Sequence, residues 1–273
     1  MFPEITSKNN EQLKYLRKLS SKSFRDAEGT FAIEGTKLFL EAVKNQLQFK
    51  QIFITSTWLE INGASVRDRL VTLENNKVAI AIVSPTILAS LSGLQKPEGI
   101  MAVLHKINSR PGTFKRTVLL EDVQDPYNVG TIIRTADAAG FDCVVTSAKT
   151  ADIYNEKVLR GSMGSVFHLP IYQVVSLLDT VKQLKEQQVT IIGTSLSGSC
   201  LWERQSLNGS FAIVMGNESQ GMSKQMSECC DLLLKIPILG QAESLNVATA
   251  AGIIMYDLIR DFKECQTKEK IIK

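Results

Sequence analysis

Three short polar segments, each directly after an apolar run, carry most of the residues in this chain that suit the handling of a reacting group. The first is Asp125-Pro126-Tyr127-Asn128-Val129-Gly130, with Arg134 a few residues on. The second is Met215-Gly216-Asn217-Glu218-Ser219-Gln220-Gly221-Met222, after the apolar FAIV. The third runs from Ile236-Pro237-Ile238-Leu239-Gly240 to Glu243-Ser244-Leu245-Asn246-Val247. Pro126 and Gly130 suggest a tight turn, Asn128 a cap for the helix that follows, and Ser244 or Asn246 a cap for the last helix. Gly216 and Gly221 allow close backbone approach. Each segment alone reads equally well as a capped helix or a strand-end turn. Three of them at the ends of strands, offering Asn, Arg, Glu and Ser, describe a site, because open α/β sheets bind ligands at the carboxyl ends of their strands.

Other chemistries lack their signatures. There is no G-x-x-x-x-G-K-[ST] loop, and no G-x-G-x-x-G follows the first strand of either half. Cys143, Cys200, Cys229, Cys230 and Cys265 form no C-x-x-C pair, and only His105 and His168 could join them. No metal site is expected, and the thiols read as reduced and mostly buried. No apolar run approaches the roughly 20 residues that cross a bilayer, and the first residues lack a secretory pattern. No membrane partner and a cytoplasmic location are therefore expected.

The elements that must hold these segments follow from period and punctuation. Hydrophobic residues are 44% and charged residues 22% of 273, the balance of a globular protein with room for two domains. A helix is expected over 9–20 and another from Gly35-Thr36, with strands at 51–55, 78–83 and 99–104 and a helix start at Ser84-Pro85. The polar stretch 105–116, with Pro111-Gly112, reads as a joint. Beyond it come strands at 117–123, 141–146, 189–194, 211–216 and 231–238. Helices are expected at about 129–139, 174–188 and 245–262. The expected class is α/β with a mostly parallel sheet, divided into a domain at 1–107, a linker at 108–116 and a domain at 117–273.

Charge is uneven. Residues 1–107 carry 14 Lys+Arg against 10 Asp+Glu. Lys8, Lys14, Arg17, Lys18, Lys22 and Arg25 fall in one stretch broken only by Glu11, beside Tyr15 and Phe24. That stretch suits contact with nucleic-acid phosphates, through Lys14, Arg17, Lys18, Lys22 and Arg25, or else forms a solvated helix face.

The three polar segments resemble, in order and in residue type, the motifs of the SpoU/TrmH family of RNA ribose 2′-O-methyltransferases, part of the SPOUT superfamily. The resemblance covers 117–260 and includes Arg160-Gly161-Ser162-Met163-Gly164 and Gly193-Thr194-Ser195. KYLRKLSSKSFRDAEGTFAIEGTKLFLEA resembles the family's small substrate-binding domain, similar to ribosomal protein L30e. The resemblance implies a methyltransferase domain with a C-terminal trefoil knot, S-adenosylmethionine as methyl donor and a homodimer formed through the C-terminal domain. It implies cofactor contacts at Thr194, Gly216, Ile236 and Leu245. Asn128, Arg134, Glu218, Ser244 and Asn246 would surround the reacting ribose, with Glu218 orienting Arg134 or accepting the proton. The implied substrate is RNA, with 23S rRNA preferred over tRNA. A tRNA 2′-O-methyltransferase and a non-catalytic RNA-binding or ribosome-assembly factor are the alternatives.

Overall fold

Leu13, Leu16 and Leu19 recur at helical spacing and are all buried, the first two within a helix from Glu11 to Lys18 (α1). The structure, a computed structural model, describes residues 2–108 and 114–261. The chain divides into two compact units. The first is drawn from the described residues up to Asn108 together with Asp152–His168, and the second from the remainder. The reading of 117–273 as one domain did not set residues 152–168 apart. Of the expected linker 108–116, residues 109–113 lie outside the described residues, and Arg116 already begins a strand.

The first unit is a five-stranded sheet with helices. Its strands are β1 (Glu4–Ile5), β2 (Thr30–Glu34), β3 (Phe49–Ile54), β4 (Ala79–Val83) and β5 (Ile100–His105), in the order β1-β4-β3-β5-β2. β1, β4 and β3 pair in parallel, whereas β5 runs antiparallel to both β3 and β2. Between them lie α2 (Lys22–Glu28), α3 (Thr36–Lys44), α4 (Ser56–Asn75) and α5 (Pro85–Ala89). Gly35, at φ 98°, precedes α3, and Ser84 caps α5, whose first residue is proline, as the sequence leads one to expect.

The excursion 152–168 contributes α7 (Glu156–Ser162) to this unit. Phe31 meets Tyr154 and Phe167 there, with ring centroids 4.5 Å and 6.4 Å apart. Arg25 bonds Asp152 and the carbonyls of Leu19 and Ser20, and is only 4% exposed. Arg25 was expected to contact RNA, and this is a correction. Its guanidinium is spent holding the excursion to α2, because a buried charge needs a full set of partners.

The second unit is a six-stranded sheet. β6 (Arg116–Leu120), β7 (Cys143–Thr146), β8 (Ile171–Gln173), β9 (Thr190–Cys200), β10 (Phe211–Met215) and β11 (Leu232–Lys235) take the order β11-β9-β10-β6-β7-β8. Every neighbouring pair is parallel. The helices are α6 (Pro126–Ala138), α8 (Leu177–Glu186), α9 (Lys224–Cys229) and α10 (Val247–Ile259). Leu177, Val181 and Leu184 of α8 and Met226 of α9 pack with Leu119, Val145, Ile191 and Val214. α6 packs on α10, where a Cβ at Gly252 would lie 3.6 Å from Thr135 Cγ2. The expected last helix reached Phe262, which lies outside the described residues.

Candidate active site

Parallel strands put their carboxyl ends on one edge, so the loops that follow β6, β10 and β11 meet there. Asp125, not Asn128, caps α6, accepting from Tyr127 N–H at 2.8 Å, with Pro126 in the first turn. Asn128 and Gly130 are therefore helical and buried, and no tight turn spans Pro126 to Gly130. Asn246, not Ser244, caps α10, its Oδ1 accepting from Ala248 and Thr249 N–H at 2.9 Å and 3.2 Å.

Side chains then tie the three loops together. Asn246 Nδ2 donates to Asn128 Oδ1 at 2.9 Å, and Asn128 Nδ2 donates to Glu218 Oε1 at 3.1 Å. The Glu218 carboxylate also accepts from the backbone N–H groups of Asp125 at 2.9 Å and Gln124 at 3.1 Å. Burial opposes ionisation of Glu218, yet these bonds from Asp125, Gln124 and Asn128 outweigh it and hold its carboxyl below the usual glutamate range. Asn217 adds a second tie that the sequence reading did not assign. Its Nδ2 donates to the Asp122 carbonyl at 2.8 Å, and its Oδ1 accepts from Ser219 and Gln220 N–H. Its place beside Glu218 was the only available signal.

A cavity of about 560 Å³ opens next to this network. Thr194, Gly216, Ile236 and Leu245 all line it, together with Glu218 and Ser244. Beside it β11 shifts register on β9. Leu233 pairs with Gly193 but Leu234 pairs with Ser199, and of the residues skipped Thr194–Ser197 form part of the wall. Gly216 is required by the loop itself, since a Cβ there would lie 2.3 Å from the backbone of Gly221 and Met222. The walls mix hydroxyl and backbone groups with the apolar side chains of Leu234, Ile236, Leu245 and Ile254. Such a lining suits a small ligand with both apolar and polar faces.

Of the expected ribose-side residues, Ser244 lines the cavity without a bond to this network, and the fold brings Arg134 to neither. Arg134 is exposed on α6, and Glu218 is engaged by Gln124, Asp125 and Asn128. In the first unit, Lys14, Arg17, Lys18 and Lys22 are exposed along α1 and α2, with Lys14 bonded to Glu11 at 2.7 Å. Phe24 packs against the core, as does Tyr15. Of the described thiols, which are all free, only Cys143 is buried, so the expectation of mostly buried cysteines needs correcting. Among the described residues no group of His, Cys, Asp and Glu could hold a metal ion, and no helix is long and apolar enough to cross a membrane.

A model of the SpoU rRNA methylase family matches residues 115–256, which include the whole network. The chain belongs to this family. A model of the MRM3-like substrate-binding domain matches residues 10–102. Among SpoU relatives, the 23S rRNA (guanosine(2553)-2′-O)-methyltransferase RlmP of Bacillus subtilis is 36% identical, over 93% of this chain and 98% of that protein. An AdoMet-bound rRNA methyltransferase from Sinorhizobium meliloti superposes with a TM-score of 0.82 at 28% identity, covering 96% of this chain and 98% of that one. The SpoU methyltransferase AviRb of Streptomyces viridochromogenes, in complex with AdoMet, gives 0.79 at 25% identity, covering 92% and 98% of the two chains.

Proposed function

We propose that this SpoU-family chain is an S-adenosylmethionine-dependent RNA methyltransferase that methylates a ribose 2′-hydroxyl in 23S rRNA. The observation that carries the reading is the cavity at the sheet edge, bordered by a network that unites all three loops. S-adenosylmethionine, when bound, supplies a sulfonium methyl group as electrophile. Thr194, Gly216, Ile236 and Leu245 would hold it, the last three largely through backbone groups, as their places in the cavity wall support.

The chain's own residues then divide the remaining work. Asn128 and Asn246 fix the loops, so that nucleophile and methyl group can be aligned, an effect worth many powers of ten when geometry is exact enough. Glu218 serves as the latch of that assembly. A carboxylate whose anion is favoured by three donors is a weak base, so we do not assign it the 2′-hydroxyl proton. Ser244, exposed at the cavity wall, would meet the ribose. Arg134 grips an RNA phosphate, favouring the developing negative charge on oxygen.

The finer architecture belongs to the same proposal. The first unit serves as an L30e-like RNA-binding domain, with Lys14, Arg17, Lys18 and Lys22 as its phosphate contacts. The C-terminal part of the chain, in which residues 236–246 return from β11 along the cavity to α10, forms the trefoil knot. On the last helix, Ala248 and Ala251 are buried within this chain and Ala250 lines the cavity. A homodimer would use α6 and α10 of the C-terminal unit, where Tyr127, Arg134 and Tyr256 are exposed. A cytoplasmic location accords with an rRNA substrate.

The test is methyl transfer from labelled S-adenosylmethionine to rRNA and, separately, to tRNA from cells lacking the gene, followed by digestion to nucleosides. The expected product is a 2′-O-methylnucleoside in the rRNA pool, lost in Asn128→Ala. Product in the tRNA pool alone would replace the substrate, and a protein that fails to bind the cofactor would be an assembly factor instead.

A further inference from the structure

A second cavity, of about 520 Å³, lies wholly in the first unit. It opens where β3 and β4 end and β5 begins, and its lining includes Trp58, Ile61, Pro85, Leu88, Pro97 and Glu98. The floor is rigid. Trp58 is 2% exposed, its indole N–H donates to Thr36 Oγ1 at 2.8 Å, and its backbone N–H donates to Thr55 Oγ1 at 3.1 Å. Gly99, at φ 92°, lets that floor close, since a Cβ there would lie 2.5 Å from Thr55 Oγ1. At the rim, Ile61 is 77% exposed and the Pro85 and Pro97 rings are exposed too, which gives stiff apolar flanks.

Thr36, Thr55, Thr57 and Asn62 also line the cavity, and its one charged group is the Glu98 carboxylate, held in a fixed place. Glu98 Oε2 accepts from the Thr36 backbone N–H at 2.8 Å, and its Oε1 would be 3.2 Å from a Cβ at Gly35. A carboxylate only accepts hydrogen bonds and repels phosphate, so an RNA backbone would not enter here. What fits is a flat neutral group with apolar faces and two adjacent donors on one edge. Among the nucleobases that is guanine, whose N1–H and N2–H can meet one carboxylate together. Adenine and cytosine each offer a single amino group. Single-stranded RNA is commonly read through unstacked bases bonded on this edge.

We propose that this cavity is a binding site for one unpaired guanine of the RNA substrate and that Glu98 determines its choice of base. The proposal rests on the reading of the chain as an RNA methyltransferase, but its test does not use methyl transfer. The full chain, labelled with 15N in its tryptophan indoles, is titrated with the RNA pentamers UUGUU, UUIUU and UUAUU, in which I is inosine. Two tryptophans give two indole signals, and Trp202→Phe assigns that of Trp58.

UUGUU is expected to shift the Trp58 signal, and the other two to bind about tenfold more weakly, the scale of one bidentate pair. Because Glu98 also receives the Thr36 N–H, Glu98→Gln is paired with Ile61→Asp, which alters only the exposed rim. The first should level the three affinities, and the second should weaken all three. An unmoved Trp58 signal, or equal affinities in the unaltered chain, would sink the site. Methyl transfer to rRNA alongside that result would leave the reaction standing. A guanine-selective shift without methyl transfer would do the opposite.

Discussion

Glu218 receives three hydrogen bonds, and its neighbour in the network, Asn128, has both ends of its amide engaged. Removing the Asn128 amide breaks the link between α6 and the loop before α10 without touching the cavity wall. Asn128→Ala should therefore lower kcat by about two powers of ten, the usual cost of a misplaced reacting group. Cofactor affinity, followed by calorimetry, should change little, and an unaltered kcat would reduce the network to decoration. The ionisation of Glu218 gives a second expectation. Its carboxyl is held below the ordinary range in the folded protein, so the stability it confers is present above that range and fades as pH falls through the lowered value. Urea unfolding of Glu218→Gln and the parent chain should thus differ at pH 7 and converge in acid. A gap that stays constant with pH would rule out the charged form as the source. Burial pushes the Cys143 thiol up to about 12, so it should stay unalkylated in the native protein.

At the level of elements, α10 must be fixed at both ends for Asn246 to hold its place. Its far end is clamped by Arg204, whose side chain is 4% exposed and donates from Nε to Asp257 at 2.7 Å and from Nη1 to Asp261. Truncating one member of such a buried set leaves charges without partners, so Arg204→Ala should destabilise the protein by roughly 3–5 kcal/mol. A urea midpoint close to that of the unaltered chain would contradict this. Most elements were legible because period and punctuation agreed, as at Ser84-Pro85 and in the run FAIVM of β10. α4 was not, although it has 20 residues. Asn62, Gly63 and Ser65 weaken its helical signal, and it buries only Trp58, Gly63, Val66 and Leu70. The capping roles were half legible. Asn and Asp are both good caps, and only geometry shows that Asp125 takes the position and frees Asn128 for the network.

On the scale of the whole molecule, the formal charge of +3 is small, and its placement matters more. With Arg25 withdrawn into the fold, the exposed cations of α1 and α2 are Lys14, Arg17, Lys18 and Lys22. Replacing all four by Gln should lower the slope of log affinity for rRNA against log salt by about 0.7–0.9 for each phosphate no longer neutralised. Arg25→Gln should instead loosen the fold, seen as a lower melting temperature. If the fourfold variant kept its full salt slope, the phosphates would have to be met elsewhere.

The excursion 152–168 bears on how such a protein can be taken apart. Sequence order suggests two beads on a string, cut between residues 108 and 114, yet a fragment ending at Asn108 would lack Asp152, Tyr154 and Phe167. It would bare Phe31, which is fully buried in the intact chain, and strand the Arg25 charge without its carboxylate. Gene fusion or domain shuffling at the linker would therefore yield two damaged halves. The two units of this chain can be inherited only as a pair.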